Sequence, residues 1–238
     1  MKTADAVCLF LIFAVIFSFA AYAAPTGPDS LLINSTSRRG NTPALNTSAV
    51  AGNVTGLNIN ITWVTNSWQG YFGNISGVIT LDDANNKTMY SWVDASPSGE
   101  IYAVRTSNSI SWATINCTNI SRIASEETAM NILATAKDGI NETFNKTSST
   151  DFYVGNKRIT AGSCAFSQFL YENDAVATQS NFEEILLCDG TYIIYTSIIN
   201  QNKVGFDNLA HDFQMIVPED GHNGDSAVTN YYFYVELN

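Results

Sequence analysis

Leu57, Ile59, Ile61 and Trp63 alternate with Asn58, Asn60, Thr62 and Val64. Alternation of period two puts one set on each face of an extended chain, so these eight residues read as a half-buried strand and not as an amphipathic helix. Short runs of the same kind recur over 75–81, 89–93, 100–106, 110–117, 151–154, 164–171, 182–188, 191–199, 212–217 and 228–237. Eleven such segments, separated by Gly, Pro, Asn and Ser, predict an all-β protein, a sandwich of immunoglobulin-like or jelly-roll-like type. Asp189-Gly190 sits between two apolar runs and predicts a tight hairpin with both turn residues at positive φ. One helix interrupts the strands near 125–138. Ser125 reads as its N-cap, Glu126 and Glu127 occupy the first turn, and Lys137 and Gly139 mark the end.

The sandwich is expected to span 57–238 as a single domain. Before it, Lys2 precedes an apolar run over 6–24 that Pro25, Thr26, Gly27 and Pro28 end abruptly. This reads as a signal peptide over 1–23, with Ala21 and Ala23 supplying the small residues a signal peptidase accepts and the cut before Ala24. A transmembrane anchor is the rival reading, since the run approaches bilayer length, but no basic stop-transfer flank follows it. Residues 24–56 are polar and broken by Pro, Gly and Asn, which predicts a flexible tail and possible donor strand. Within it, Arg38-Arg39 is either a processing site or an incidental pair.

With 45% apolar and 14% charged residues the chain is globular in composition. Its net charge of −11 repels phosphates and anionic lipid, which argues against nucleic acid and against a membrane once the signal is cut. The acidity is uneven. Residues 159–238 hold eleven acids against Lys203 alone, whereas 24–158 hold ten acids and nine bases. Asn-x-Ser/Thr sequons occur at Asn34, Asn46, Asn53, Asn60, Asn74, Asn86, Asn116, Asn119, Asn141 and Asn145, and the last 93 residues have none. From this composition chance gives about five, so N-glycosylation is expected over the first two-thirds. The acidic remainder is either a solvated face or a surface for cations or a partner.

Cys8 leaves with the signal, so Cys117, Cys164 and Cys188 make one pair and one spare. Three pairings are open, and Cys117–Cys164 is favoured because it clamps the helical excursion between two strand ends. His211 and His222 flank one strand and lie roughly 20–30 Å apart, too far to share a metal or a proton relay. No nucleophile elbow, zinc helix or phosphate loop is present, so no catalytic residue is assigned and the chain reads as a non-enzyme. A hydrolase using two carboxylates needs only a shared cleft and stays as a third reading. Glu219, Asp220, Asn223 and Asp225 crowd hard oxygen donors into one loop, which is either a calcium site or a solvated turn. Asp82-Asp83 with Asn85-Asn86 is a lesser case. WQGYFG reads as a glycine-hinged loop, in which Trp68, Tyr71 and Phe72 form either a stacking platform for sugar rings or a plug at the end of the sandwich.

WQGYFG at 68–73, HDFQMIVPEDGH at 211–222 and YYFYVEL at 231–237 resemble uncharacterised secreted β-proteins of archaeal genomes over about residues 60–238. The resemblance implies an archaeal surface or extracellular location and no activity. Taken together, the residues predict a secreted, N-glycosylated structural protein, a subunit of a cell-surface filament or layer. Self-assembly by strand exchange would use residues 49–54 as the insert. The alternative is a carbohydrate-binding or adhesion module that recognises surface glycans.

Overall fold

The computed structural model describes residues 24–94, 97–176, 181–219 and 228–237. The signal segment and Cys8 lie outside them, as do His222 and residues Asp220, Asn223 and Asp225 of the proposed calcium loop. The strands are β1 (Trp68–Gly73), β2 (Gly77–Asp82), β3 (Thr88–Asp94), β4 (Gly99–Val104), β5 (Asn116–Cys117), β6 (Phe152–Val154), β7 (Lys157–Ile159) and β8 (Ser167–Phe169). They continue with β9 (Glu183–Cys188), β10 (Ile193–Ile199), β11 (Lys203–Val204), β12 (Ala210–His211), β13 (Phe213–Pro218) and β14 (Tyr232–Leu237). Two helices, α1 (Ile120–Ala129) and α2 (Ile140–Thr143), lie between β5 and β6. The fold is all-β.

A six-stranded sheet in the order β14-β4-β10-β9-β5, with β8 sharing the outer edge of β9, is the centre of the molecule. Its middle strands do not alternate apolar with polar. Alternation instead sorts their side chains between two cores. Ile101, Ala103, Leu186, Ile193, Tyr195 and Ile199 enter the first, which the antiparallel β1–β13 pair and both helices cover with Met215, Val217, Ile123 and Phe144. Tyr102, Val104, Ile185, Leu187 and Ile194 enter the second, closed by Phe152, Val154 and Ile159 of the β6–β7 hairpin. Every residue of β4 and β9 is buried as a result.

Burial on both faces takes acidic side chains inside, and each of three central carboxylates is met by a donor from a covering segment. Glu184 accepts the Ile216 N–H of β13 at 2.9 Å. Glu236 accepts the Gly155 N–H from the β6–β7 turn at 2.9 Å and the Tyr102 hydroxyl at 3.2 Å. Glu183 accepts the Ser149 N–H at 2.7 Å and the hydroxyls of Ser149 and Thr150. Four of the acids that crowd the last third, Glu183, Glu184, Asp212 and Glu236, are therefore buried ties between layers and contribute nothing to a solvated face.

Five sequence expectations are corrected. Residues 57–64 form no strand: none of them pairs with another segment among the described residues, and 57–63 are exposed. WQGYFG is strand β1 and not a glycine-hinged loop, and the segment expected over 110–117 is a 3₁₀ turn at Trp112–Thr114 followed by the short β5. The helix starts earlier than Ser125: Asn119 caps it by accepting the Arg122 N–H at 3.1 Å, and it ends before Asn131, whose φ is 50°. Glu126 and Glu127 consequently fall in the last turn, where Glu126 binds Arg105 at 2.6 Å and Glu127 accepts the Asn141 N–H at 3.1 Å. Gly139 becomes the N-cap of α2. Finally, Cys188 pairs with Ile193, so the β9–β10 loop has four residues; only Gly190 takes positive φ, and Asp189 Oδ1 closes the turn on the N–H groups of Thr191 and Tyr192.

The disulfide joins Cys117 to Cys164, with Cα atoms 5.0 Å apart. It bridges 47 residues of sequence, and closing such a loop is worth about 4 kcal/mol in the chain-entropy account. Cys188 is buried and unpaired, and burial pushes its thiol above the ordinary value.

Burial also raises the Glu184 carboxyl well above its ordinary 4.5, so the folded chain keeps a proton that the unfolded chain releases. The stability this group supplies is complete below that value and is lost as pH rises toward the folded pKa. Glu184→Gln keeps the acceptor for Ile216 without the titration. In thermal melts it should exceed the parent at pH 8 and converge with it by pH 4, and parallel pH profiles would contradict this assignment. Glu184→Ala strands the Ile216 N–H and should cost about 1–3 kcal/mol at either pH.

Candidate interaction surface

The N-terminal arm touches the body at its two ends and nearly nowhere between. Pro25 is buried, and Thr26 exchanges two backbone hydrogen bonds with Val235, at 3.1 and 2.8 Å, on the outer side of β14. Every residue from 26 to 63 is then exposed. Contact resumes where Thr65 Oγ1 donates to Asp138 at 2.6 Å and the Ser67 carbonyl accepts the Glu219 N–H at 2.9 Å. Arg38 reaches Asn66 at 2.7 Å, a contact between exposed groups. Apolar side chains lie along the whole arm, including Leu32, Leu45, Val50, Val54, Ile59, Ile61 and Trp63.

Residues 49–54, the expected insert, are not extended. Asn53 N–H bonds the Val50 carbonyl at 3.2 Å, and Gly52 takes φ 84°, so a turn closes there. The stretch whose apolar residues alternate with polar ones is 57–63.

The proposed sugar platform is divided between environments. Trp68 Nε1 donates to the Asp138 carbonyl at 2.6 Å, and its ring lies 5.9 Å from Phe144 against the first core. Tyr71 packs on the same core, 5.2 Å edge-on to Phe233, and burial raises its phenol. Phe72 sits instead on the exposed side of β1, 5.0 Å from Phe206 and 4.8 Å from His211. Because neighbouring residues of a strand point to opposite faces, Tyr71 and Phe72 do not share a stacking plane. His211 is occupied by Asp207, whose Oδ1 lies 2.9 Å from Nε2.

Of the proposed calcium ligands only Glu219 is described, and its backbone N–H is bound to Ser67. Among the described residues no group of three or more His, Cys, Asp or Glu is arranged to hold a metal. Asp83 turns its carboxylate on the N–H groups of Asn85 and Lys87, each at 2.8 Å, which holds it below its ordinary value and shapes the β2–β3 turn. Two carboxyls do come together elsewhere: Glu100 and Glu236 are opposite each other in the β4–β14 register, with the Tyr102 hydroxyl on Glu236. Both are buried, and desolvation raises Glu236. The nearby cleft of about 350 Å³ is lined by Glu100 and Asp151. Asp151 is committed to the Ala161 N–H at 2.7 Å and to Arg158 at 2.8 Å, which keep it ionised. A larger cleft of about 470 Å³ is lined by Arg105, itself bound to Glu126.

All ten sequon asparagines are exposed. Their nitrogens differ in availability. Asn119 spends Oδ1 on the cap of α1 and leaves Nδ2 free, whereas Asn145 Nδ2 donates to the Glu142 carbonyl at 2.7 Å. No helix among the described residues is long and apolar enough to cross a membrane. The chain matches no protein-family model, no curated protein and no solved structure.

The double use of Asn119 separates cap from sequon. Asn119→Ala removes both and should destabilise the protein by about 1 kcal/mol. Ser121→Ala removes only the sequon and should leave unglycosylated protein unchanged in denaturant titration. Equal losses in the two variants would contradict the cap.

Proposed function

We propose that this chain is a secreted, N-glycosylated structural subunit of an archaeal cell-surface filament or layer, assembled by exchange of a β-strand between copies. The observation that carries the reading is the contrast between a body with two closed cores and an arm, 26–63, that exposes apolar side chains throughout. A chain working alone gains nothing from such residues in water, whereas a neighbour's sheet edge buries them and pairs their backbone. Ten exposed sequons and a disulfide fit an oxidising compartment outside the cytoplasm.

Removing residues 27–63 from the mature protein should leave the melting of the body unchanged and abolish polymers seen by electron microscopy and sedimentation. Polymers that persist without those residues would overturn strand exchange.

A further inference from the structure

The β2–β3 hairpin is the body's own unfinished element. In its register Ile79 faces Trp92 and Leu81 faces Tyr90, so these four side chains share one face, while Thr80 and Ser91 share the other with the exposed pair Val78 and Val93. Ile79, Trp92, Leu81 and Tyr90 are exposed, at 58, 49, 50 and 58% respectively, and the Tyr90 and Trp92 rings lie 4.7 Å apart. Neither outer edge pairs with another strand among the described residues. The body meets the hairpin at its base, where Gly77 lies against the Leu237 side chain with no room for a Cβ. Two strands with an uncovered apolar face are marginal in water, and a third strand is the usual remedy.

Residues 57–64 match that vacancy. They are eight residues long against six and seven in β2 and β3. In an extended strand Leu57, Ile59, Ile61 and Trp63, which are 61, 81, 76 and 73% exposed, would line one face. The opposite face would carry Asn58, Asn60, Thr62 and Val64, so a glycan on Asn60 would point away from the first set.

The segment and the hairpin leave the body at opposite poles. Trp68, where the arm joins β1, is paired with Pro218, whose carbonyl accepts the Tyr231 hydroxyl at 2.7 Å near the start of β14. Gly73, at the other end of β1, bonds Asp212, and Asp212 bonds Asn200, just past Ile199, which pairs with Gly99. Gly99 pairs in turn with Leu237, beside the hairpin base. Because Thr65 and Ser67 are fixed to the body, the same copy's segment would have to reverse and run back along β1. That distance is about 17 Å and uses about five of its eight residues before the hairpin begins. A second copy has no such constraint, and a contact between opposite poles is head-to-tail, building a filament where the rotation between copies does not close a ring.

We propose that residues 57–64 of one copy add to the β2–β3 hairpin of the next as a third strand, joining Leu57, Ile59, Ile61 and Trp63 to the face formed by Ile79, Leu81, Tyr90 and Trp92. The proposal rests on the self-assembly reading above and names its two surfaces. Same-face neighbours on paired strands come within disulfide reach, which gives a direct test. Chains carrying Ile61→Cys are mixed, under conditions that dissociate polymers, with chains carrying Leu81→Cys or Tyr90→Cys, then reassembled and oxidised. A cross-link between unlike chains with one of the two acceptors is expected. In separate preparations Ile59→Asp with Ile61→Asp should lose polymers while keeping the parent's circular dichroism. Polymers that form with neither cross-link would overturn the hairpin as acceptor and leave self-assembly standing. A cross-link within a single chain carrying both cysteines would overturn it in favour of the chain's own arm. Failure of the parent protein to polymerise at all would remove this proposal and the assembly reading together.

Discussion

A sheet that is apolar on both faces cannot leave either in water, and the whole body follows from satisfying that demand at β4, β10 and β9. Their side chains feed two cores, so two covering layers are obligatory: β1–β13 with the helices on one side, the β6–β7 hairpin on the other. The carboxyl groups in the sheet then act as fixed pins, because a donor from a covering segment meets one or both oxygens of each. Glu184 ties the sheet to β13, and Glu236 ties it to the β6–β7 turn. Asp212 adds a tie of the same kind, accepting the Ile75 and Asn202 N–H groups at 2.8 and 2.9 Å. The disulfide holds the second core's rim, with Cys164 fully buried in it.

Much of this was legible in the sequence. Period-two runs locate nearly every central strand, and Cys117 with Cys164 is the pairing that their strand-end positions favour. What period two does not reveal is the partner of each face. In β10 the run IIYTSII is apolar on both sides because both sides are covered, while at 57–63 the alternation marks residues that nothing among the described residues buries. Helix ends were misjudged for a related reason. Glu126 and Glu127 look like first-turn acids, but tertiary partners Arg105 and Asn141 hold them in the last turn, and Asn119 is the cap that a sequon had concealed. The aromatic motif WQGYFG read as a loop because of its glycines, yet pairing with β13 makes it a strand and sends Trp68 and Tyr71 inward.

The arm and the β2–β3 hairpin gain meaning together. Residues 57–64 and the hairpin each expose apolar side chains and take no further strand partner among the described residues, and β1 lies between them in the chain. Among the described residues the β14 edge of the central sheet is crossed by Thr26 at Val235, and the outer edge of β9 is shared by β5 and β8, whereas neither outer edge of the β2–β3 hairpin has a partner.

Hydrogen exchange read by mass spectrometry, on the monomer and on assembled material, tests this account most directly. In the monomer the amides of β4, β9 and β10 should exchange slowly and those of 57–64 at once; in the assembly 57–64 and the hairpin should become protected together. Protection of 57–64 already present in the monomer, or none gained on assembly, would contradict it.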